Sequence, residues 1–298
     1  MMGKNASILL IQKPSGITSF TALNDIKRTV DPKVGHAGTL DKFAQGLLVV
    51  LTGSMTKLNV LFSTMDKSYR AHIQFGVETD TLDPEGEIVA QALQPSLSRI
   101  EQEIPSFLGD IEQEPPLYSA LHVQGKRASD IARSGKIVAM KSRPVTVYRF
   151  EVVDYTDGLL VADIHVSKGT YIRSLARDLA LSCGSRGYLK NLVRTSIGPF
   201  SLEEAVHAKD TKAVLDSMKH TEQYLKRLNT ISLHEVSNHH LFSLANGAFP
   251  QKYETIRREG HEQYGAFYSR DGILRAVADM HSSRLIAQIH PYSREAES

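Results

Sequence analysis

The stretch Lys33-Val-Gly-His-Ala-Gly-Thr-Leu-Asp-Lys-Phe-Ala-Gln-Gly46, with the apolar run Leu47 to Leu51 behind it, constrains this chain more than any other segment. Gly35, Gly38 and Gly46 permit backbone angles that a Cβ disfavours, so the segment can turn tightly and let a ligand approach. A polar loop anchored on a buried apolar strand is where reactive side chains gather. Here they are Asp41 and His36. A surface turn whose aspartate solvates a loop has the same composition, and the spacing alone does not say which reaction an aspartate would perform.

The chain has 298 residues, 41% apolar and 23% charged, which suits a globular protein with one large domain or a large and a small one. No apolar stretch is long enough to span a bilayer, and the run Ile8 to Ile11 is too short for a signal peptide. The single cysteine, Cys183, excludes an internal disulfide and falls on the apolar side of a predicted helix, as a buried inert thiol would. A reducing compartment, the cytoplasm, is expected. Net charge is only +2, but it is unevenly spread. Glu78 to Glu114 holds ten acidic residues against Arg99; Tyr118 to Arg149 holds seven basic against Asp130; Lys168 to Arg194 holds six basic against Asp178. Two basic blocks in a nearly neutral chain suggest a localised polyanion site, the alternative being two solvated faces.

In chain order, Ser7 to Ile11 reads as a buried strand ended by Lys13-Pro14-Ser15-Gly16. A helix is expected from near Ser19, with Phe20, Leu23, Ile26 and Val30 inward, and another from Met55 to Thr64. Tyr69 to Val77 alternates as a strand with Tyr69, Ala71, Ile73 and Phe75 on one face. A turn cluster at Thr79 to Gly86 leads to a strand at Ile88 to Ala92, and Ser98-Arg-Ile-Glu101 matches a capping box. Tyr118 to Val123 reads as extended, and a basic insert runs from Gln124 to Lys141. Val145 to Tyr155 and Leu159 to Val166 form a hairpin about Asp157-Gly158. Lys168-Gly169-Thr170 opens a helix with Ile172, Leu175, Ala176, Leu179, Ala180 and Cys183 on one face, and Arg173 and Arg177 away from it. A strand at Tyr188 to Arg194 follows, then helices started by a capping box at Ser201 to Glu204. These mixed elements predict an α+β fold on a mixed, largely antiparallel sheet. From about residue 231, a short helix at Asn238 to Asn246 and strands at Tyr264 to Ser269, Ile273 to Asp279 and Arg284 to His290 predict a small β-barrel, so the division falls near 230.

Familiar metal, phosphate and triad signatures are missing. His239 and His240 are adjacent and project about 100° apart on a helix, with no HExxH or cysteine cluster. Lys168 precedes its glycine, against the Walker order, and there is no GxSxG. A two-carboxylate glycosidase using Asp41 with Asp80, Asp83 or Glu85 is compatible with the sequence but nothing favours it.

Gly35-His-Ala-Gly-Thr-Leu-Asp41, with Ala44 and Gly46, resembles the catalytic motif of the bacterial tRNA pseudouridine synthases of the TruB type. Asp66-Lys-Ser-Tyr-Arg70 and Lys168-Gly-Thr-Tyr-Ile-Arg173 resemble that family's second and third motifs. Lys13 to Gly16, Gly76 to Thr81 and Tyr118 to Leu121 also match its segments, in order, across residues 8 to about 205. The resemblance implies isomerisation of uridine to pseudouridine in the T loop of tRNA (position 55), by base flipping, with no cofactor, no metal and no obligatory protein partner. It makes Asp41 the nucleophile, attacking base C6 or sugar C1′, beside Arg173. It makes Tyr69 the tyrosine stacked on the target base, Tyr171 and Leu192 the walls of the uridine pocket, and His36 an RNA contact. The insert 124–141, with Lys126 and Arg127, resembles the family's RNA-clamping loop, and residues 231–298 its PUA domain, leaving 1–230 as the catalytic domain. Lys42 stands where the family usually has proline. A guide-RNA-dependent synthase, which lacks the clamp loop, and a silent RNA-binding protein or tRNA folding chaperone are the alternatives.

Overall fold

The computed structural model describes residues 6–119, 122–123, 126–127, 140–257 and 263–289, with the backbone alone at 122–123, 126–127 and 257. The first nine strands are β1 (Ile8–Lys13), β2 (Val34–Ala37), β3 (Gln45–Thr52), β4 (Lys67–Phe75), β5 (Val77–Thr79), β6 (Ile88–Gln91), β7 (Gly109–Gln113), β8 (His122–Val123) and β9 (Lys126–Arg127). The next five are β10 (Arg143–Thr156), β11 (Leu159–Val166), β12 (Gly187–Ile197), β13 (Phe200–Ser201) and β14 (Val206–His207). Eight of these lie in the order β14-β1-β3-β12-β4-β11-β10-β7, with β2 on β3 and β13 on β12. The pairs β1–β14 and β3–β12 are parallel and the other pairings of this sheet antiparallel, so the sheet is mixed and largely antiparallel as expected.

Strands β1 and β3 are covered on both faces, which is why they read as continuous apolar runs and not as alternations. β4 alternates buried and open positions because only one of its faces meets the main core. That core holds Leu23, Ile26, Tyr69, Ala71, Ile73, Phe75, Ile164, Leu175, Leu179 and Leu192. A second core lies on the other face, built from Ile8, Leu10, Leu47, Val49, Phe62 and Phe200 together with Ile231, Leu233, Tyr264 and Val277. The last group belongs to a five-stranded sheet ordered β16 (Glu254–Arg257), β15 (Ile231–Val236), β17 (Tyr264–Ser269), β18 (Leu274–Asp279) and β19 (Arg284–Gln288). It is a separate C-terminal sheet; among the described residues no pairing closes it into the expected barrel.

Several local expectations are corrected. The helix from Ser19 is a turn at Thr21–Leu23 followed by a helix at Asn24–Thr29, and Phe20 is exposed, its ring capped by Lys27 Nζ. Ser96, not Ser98, caps the helix Leu97–Glu103, accepting from Arg99 N, because the extended backbone the cap requires falls at Ser96. The box at Ser201 and Glu204 forms as expected but caps a single turn, Leu202–Glu204. β15 and β16 were absent from the sequence reading. Most of the basic insert lies outside the described residues, and of Lys126 and Arg127 only the backbone pairing with β8 is placed.

Gly46 is required where β3 runs beside β12. Its φ is +117°, and a Cβ there would come within 2.4 Å of the Arg194 carbonyl oxygen. Gly46→Ala must therefore move β12, and an expected loss of at least about 2 kcal/mol should appear as a lower urea midpoint.

Candidate active site

The turn after β11 places an arginine where helix physics does not favour one. Gly169 takes φ +82°, Thr170 Oγ1 donates to Ser167 O at 3.0 Å, and the helix Ile172–Ser182 then starts with Arg173 in its first turn. A cation at a helix N-terminus faces the positive end of the dipole, and this one is also buried. Carboxylates and carbonyls compensate it. Arg173 Nε lies 2.9 Å from Asp41 Oδ2 while Nη2 donates to Asp41 Oδ1 at 3.2 Å. Nη1 donates to Asp83 Oδ2 at 3.2 Å and Thr81 O at 2.9 Å, and Nη2 also to Tyr118 O at 2.9 Å. Three sequence-distant segments thus meet on one guanidinium, which lies on the apolar side of its helix and not away from it as the helical wheel suggested.

Asp41 sits on the loop between β2 and β3 with its side chain 39% exposed. Burial of its carboxyl pushes its pKa up, Asp83 adding to the rise, while Arg173 and Lys13 oppose it. Lys13, at the end of β1, is fully buried and donates to Ala44 O at 2.5 Å, Pro14 O at 3.0 Å and Lys42 O at 3.4 Å. Gly16 N also donates to Lys42 O, at 2.9 Å. The loop is thereby pinned from β1. Lys42 sends its ammonium 2.8 Å from Glu85 Oε1, across to the turn that carries Asp83.

Asp41 and Arg173 line a cavity of about 310 Å³ together with Leu40, Lys67, Tyr69, Tyr171, Leu192 and Arg194. The antiparallel register sets Arg194 of β12 directly opposite Tyr69 of β4, with Leu192 opposite Ala71. Arg194 is 1% exposed and donates to Leu47 O at 2.8 Å and Gly38 O at 3.0 Å, and the Tyr69 side chain is near enough to act on its charge. No carboxylate among the described residues pairs with it, and burial lowers its pKa. Lys67 donates to Ser63 O and Met65 O, and burial with the Arg194 charge beside it brings its pKa down to about 8. Lys13 is likewise brought down to about 8, by burial first.

Of the sequence candidates, Asp41, Tyr69, Arg173, Tyr171 and Leu192 are brought together. His36 is not among the cavity-lining residues: it stands on β2 with Nδ1 buried and unpartnered, and burial and Arg194 lower its pKa. Lys13, Lys67 and Arg194 are not among the sequence candidates, and Asp83 is so only as one of three second carboxylates in the glycosidase alternative. Asp83 carried a signal in the turn cluster at 79–86; the others were polar residues inside or next to matched motifs.

The two lowered lysines make a pH prediction. Below about pH 8 both are ammonium and hold their carbonyls; above it they lose a proton while the unfolded chain keeps it until about 10.5. The unfolded state then binds more protons, so folding stability should rise between pH 8 and 10.5. Turnover should fall over the same range as the loop loses donors. A pH–rate profile flat from 7.5 to 10 would contradict this.

The family model described as TruB family pseudouridylate synthase (N terminal domain) matches residues 26–172. The chain is 45% identical over 223 residues to the tRNA pseudouridine synthase B of Borreliella burgdorferi (strain ZS7), covering 73% of this chain and 79% of that one. It is 43% identical over 214 residues to that of Bordetella avium (70% and 88%), and 44% over 224 residues to that of Treponema pallidum strain Nichols (67% and 61%). In fold it is similar to the crystal structure of the archaeal box H/ACA sRNP Nop10-Cbf5 complex, at TM-score 0.66 and 19% identity over 98% of this chain and 88% of that one.

Proposed function

This chain belongs to the TruB family of pseudouridylate synthases, and we propose that it isomerises uridine to pseudouridine at position 55 in the T loop of tRNA, without a guide RNA, using Asp41 as nucleophile. The observation that carries the reading is Asp41 held by Arg173 in a cavity walled by Tyr69, Tyr171 and Leu192. A carboxylate is a competent nucleophile when it is ionised and fixed beside the reacting atom, and the guanidinium favours both. The cavity is of the size that takes one small ring system, and its aromatic and aliphatic walls suit a base removed from its stack.

Extruding the uridine costs a few kcal/mol. Stacking on an aromatic ring returns roughly 1–3 kcal/mol per base, so Tyr69 offsets much of it, and phosphate contacts from the basic insert, Lys126 and Arg127 included, supply affinity that falls with salt. His36 contacts RNA from behind the loop. In the reaction the N1–C1′ bond breaks, C5–C1′ forms, the C5 hydrogen is released to solvent as a proton, and N1 takes up a proton. Asp41 reaches either C6 or C1′ from the same loop. Residues 1–230 act as the catalytic domain, and 231–298 as a PUA-like RNA-binding domain. The protein works in the cytoplasm on the tRNA T-arm, with no protein partner; among the described residues no helix is long and apolar enough to cross a membrane.

The guide-dependent alternative draws only on fold, at 19% identity, whereas the relatives at 43–45% are all named tRNA pseudouridine synthase B. Release of the C5 hydrogen from an unmodified tRNA transcript, with purified protein alone, tests the reading. Activity only after a guide RNA is added selects the alternative, and binding without release selects a silent RNA-binding protein.

A further inference from the structure

Arg143 opens β10 immediately after the basic insert, and its guanidinium carbon lies 5.0 Å from the centre of the Tyr171 ring. Its Nε and Nη2 are buried and have no hydrogen-bond partner among the described residues. In an arginine these two nitrogens share one edge and form a fork that fits two oxygens of one anion. The same edge is filled elsewhere in this molecule: Arg70 donates from Nε and Nη2 to the two Asp163 oxygens at 2.9 and 2.8 Å. At Arg143 the fork is empty. Unpaired buried donors are costly and persist where a ligand repays them.

The surroundings say which anion. Across the β7–β10 pairing, Arg143 faces Gln113, whose amide takes hold of Tyr171 from both sides, donating to Tyr171 O at 3.1 Å and accepting from Tyr171 N at 2.8 Å. Tyr171 in turn lines the cavity that holds Asp41. Exposed Lys141 and Lys168 flank Arg143 and Tyr171 in sequence and offer further cations to an anion bound there.

We propose that Arg143 is a phosphodiester clamp: its fork takes the two non-bridging oxygens of a backbone phosphate next to the flipped uridine, while its face braces Tyr171. This rests on the reading of the cavity as a uridine site. It makes Arg143 a substrate-binding and positioning residue, and not a catalytic one.

The test is a binding cycle on a T-arm stem-loop, with each phosphate flanking the target uridine replaced in turn by a neutral methylphosphonate. Arg143→Gln should weaken binding of the native stem-loop roughly tenfold and lower the slope of log K against log salt by about 0.7–0.9. One methylphosphonate should weaken the wild-type protein to the same degree and cost Arg143→Gln nothing further. Arg143→Lys keeps the charge and the salt slope but loses the fork, so KM rises while kcat is nearly held. Additive losses at every linkage, or an unchanged slope, overturn the clamp; a fall in kcat with no change in affinity shows bracing of Tyr171 alone and overturns it too. Wild-type protein that binds the stem-loop but never releases the C5 hydrogen sinks the catalytic reading instead, and leaves the cycle legible.

Discussion

Asp41→Asn lowers turnover by at least about 10⁴-fold, the scale on which removal of a nucleophile is felt, while tRNA binding stays near the wild-type level. The amide keeps the shape of the carboxylate and can still accept from Arg173 Nη2, so the loop held by Lys13 should not move. What it loses is the anion. The same substitution has an effect on stability whose sign is fixed by the raised pKa of Asp41, caused by burial ahead of Asp83. A carboxyl with a folded pKa above its unfolded value contributes stability at low pH and loses it as pH rises through the folded value. The variant should therefore gain on the wild type as pH rises from about pH 4, whatever the offset left by losing the charge pair with Arg173. Urea midpoints across that range and a C5-release assay measure the two halves. A variant that turns over, or one that does not gain on wild type as pH rises from about 4 to 7, contradicts the account.

Arg173→Met should destabilise the fold by roughly 3–5 kcal/mol, the cost of stranding a buried partner. The stranded groups are Asp83, whose side chain is 8% exposed, and the Thr81 and Tyr118 carbonyls. Turnover goes as well, because Asp41 loses the cation that keeps it ionised and aimed. Arg173→Lys restores a charge but cannot span four acceptors on three segments, so it should recover part of the stability and little of the rate. Adding Asp83→Asn to Arg173→Met should return stability and no turnover, since it relieves the buried charge without rebuilding the clamp. If the Met variant unfolds at the wild-type urea concentration, the guanidinium is not the hub described above.

Much of the site was legible because short motifs carry it. Asp41, Tyr69, Tyr171 and Arg173 each lie inside a contiguous run whose spacing reflects a local turn or strand. Asp83 was not legible as their partner: it is 42 positions beyond Asp41, and only the folding of the 79–86 turn against Arg173 joins them. Arg194 falls in a basic block for which a solvated face was an alternative, and charge gives no hint that Lys13 is buried; the register opposite Tyr69 and the loop carbonyls bury them. Strands β1, β4 and β11 were found from their burial patterns. β15 and β16 were missed, since short segments bounded by polar turns give no period to count. His36 followed its motif into β2 but not into the cavity lining.

The second core binds the rear of the catalytic sheet to β15, β17 and β18 through Ile8, Leu10, Val49, Ile231, Leu233 and Val277. Cutting the chain at 230 would leave that apolar underside bare to water, directly beneath the strand whose end pins the Asp41 loop. The C-terminal segment is thus a keel as much as an appendage, and the loop on the upper deck rests on ballast laid beneath it.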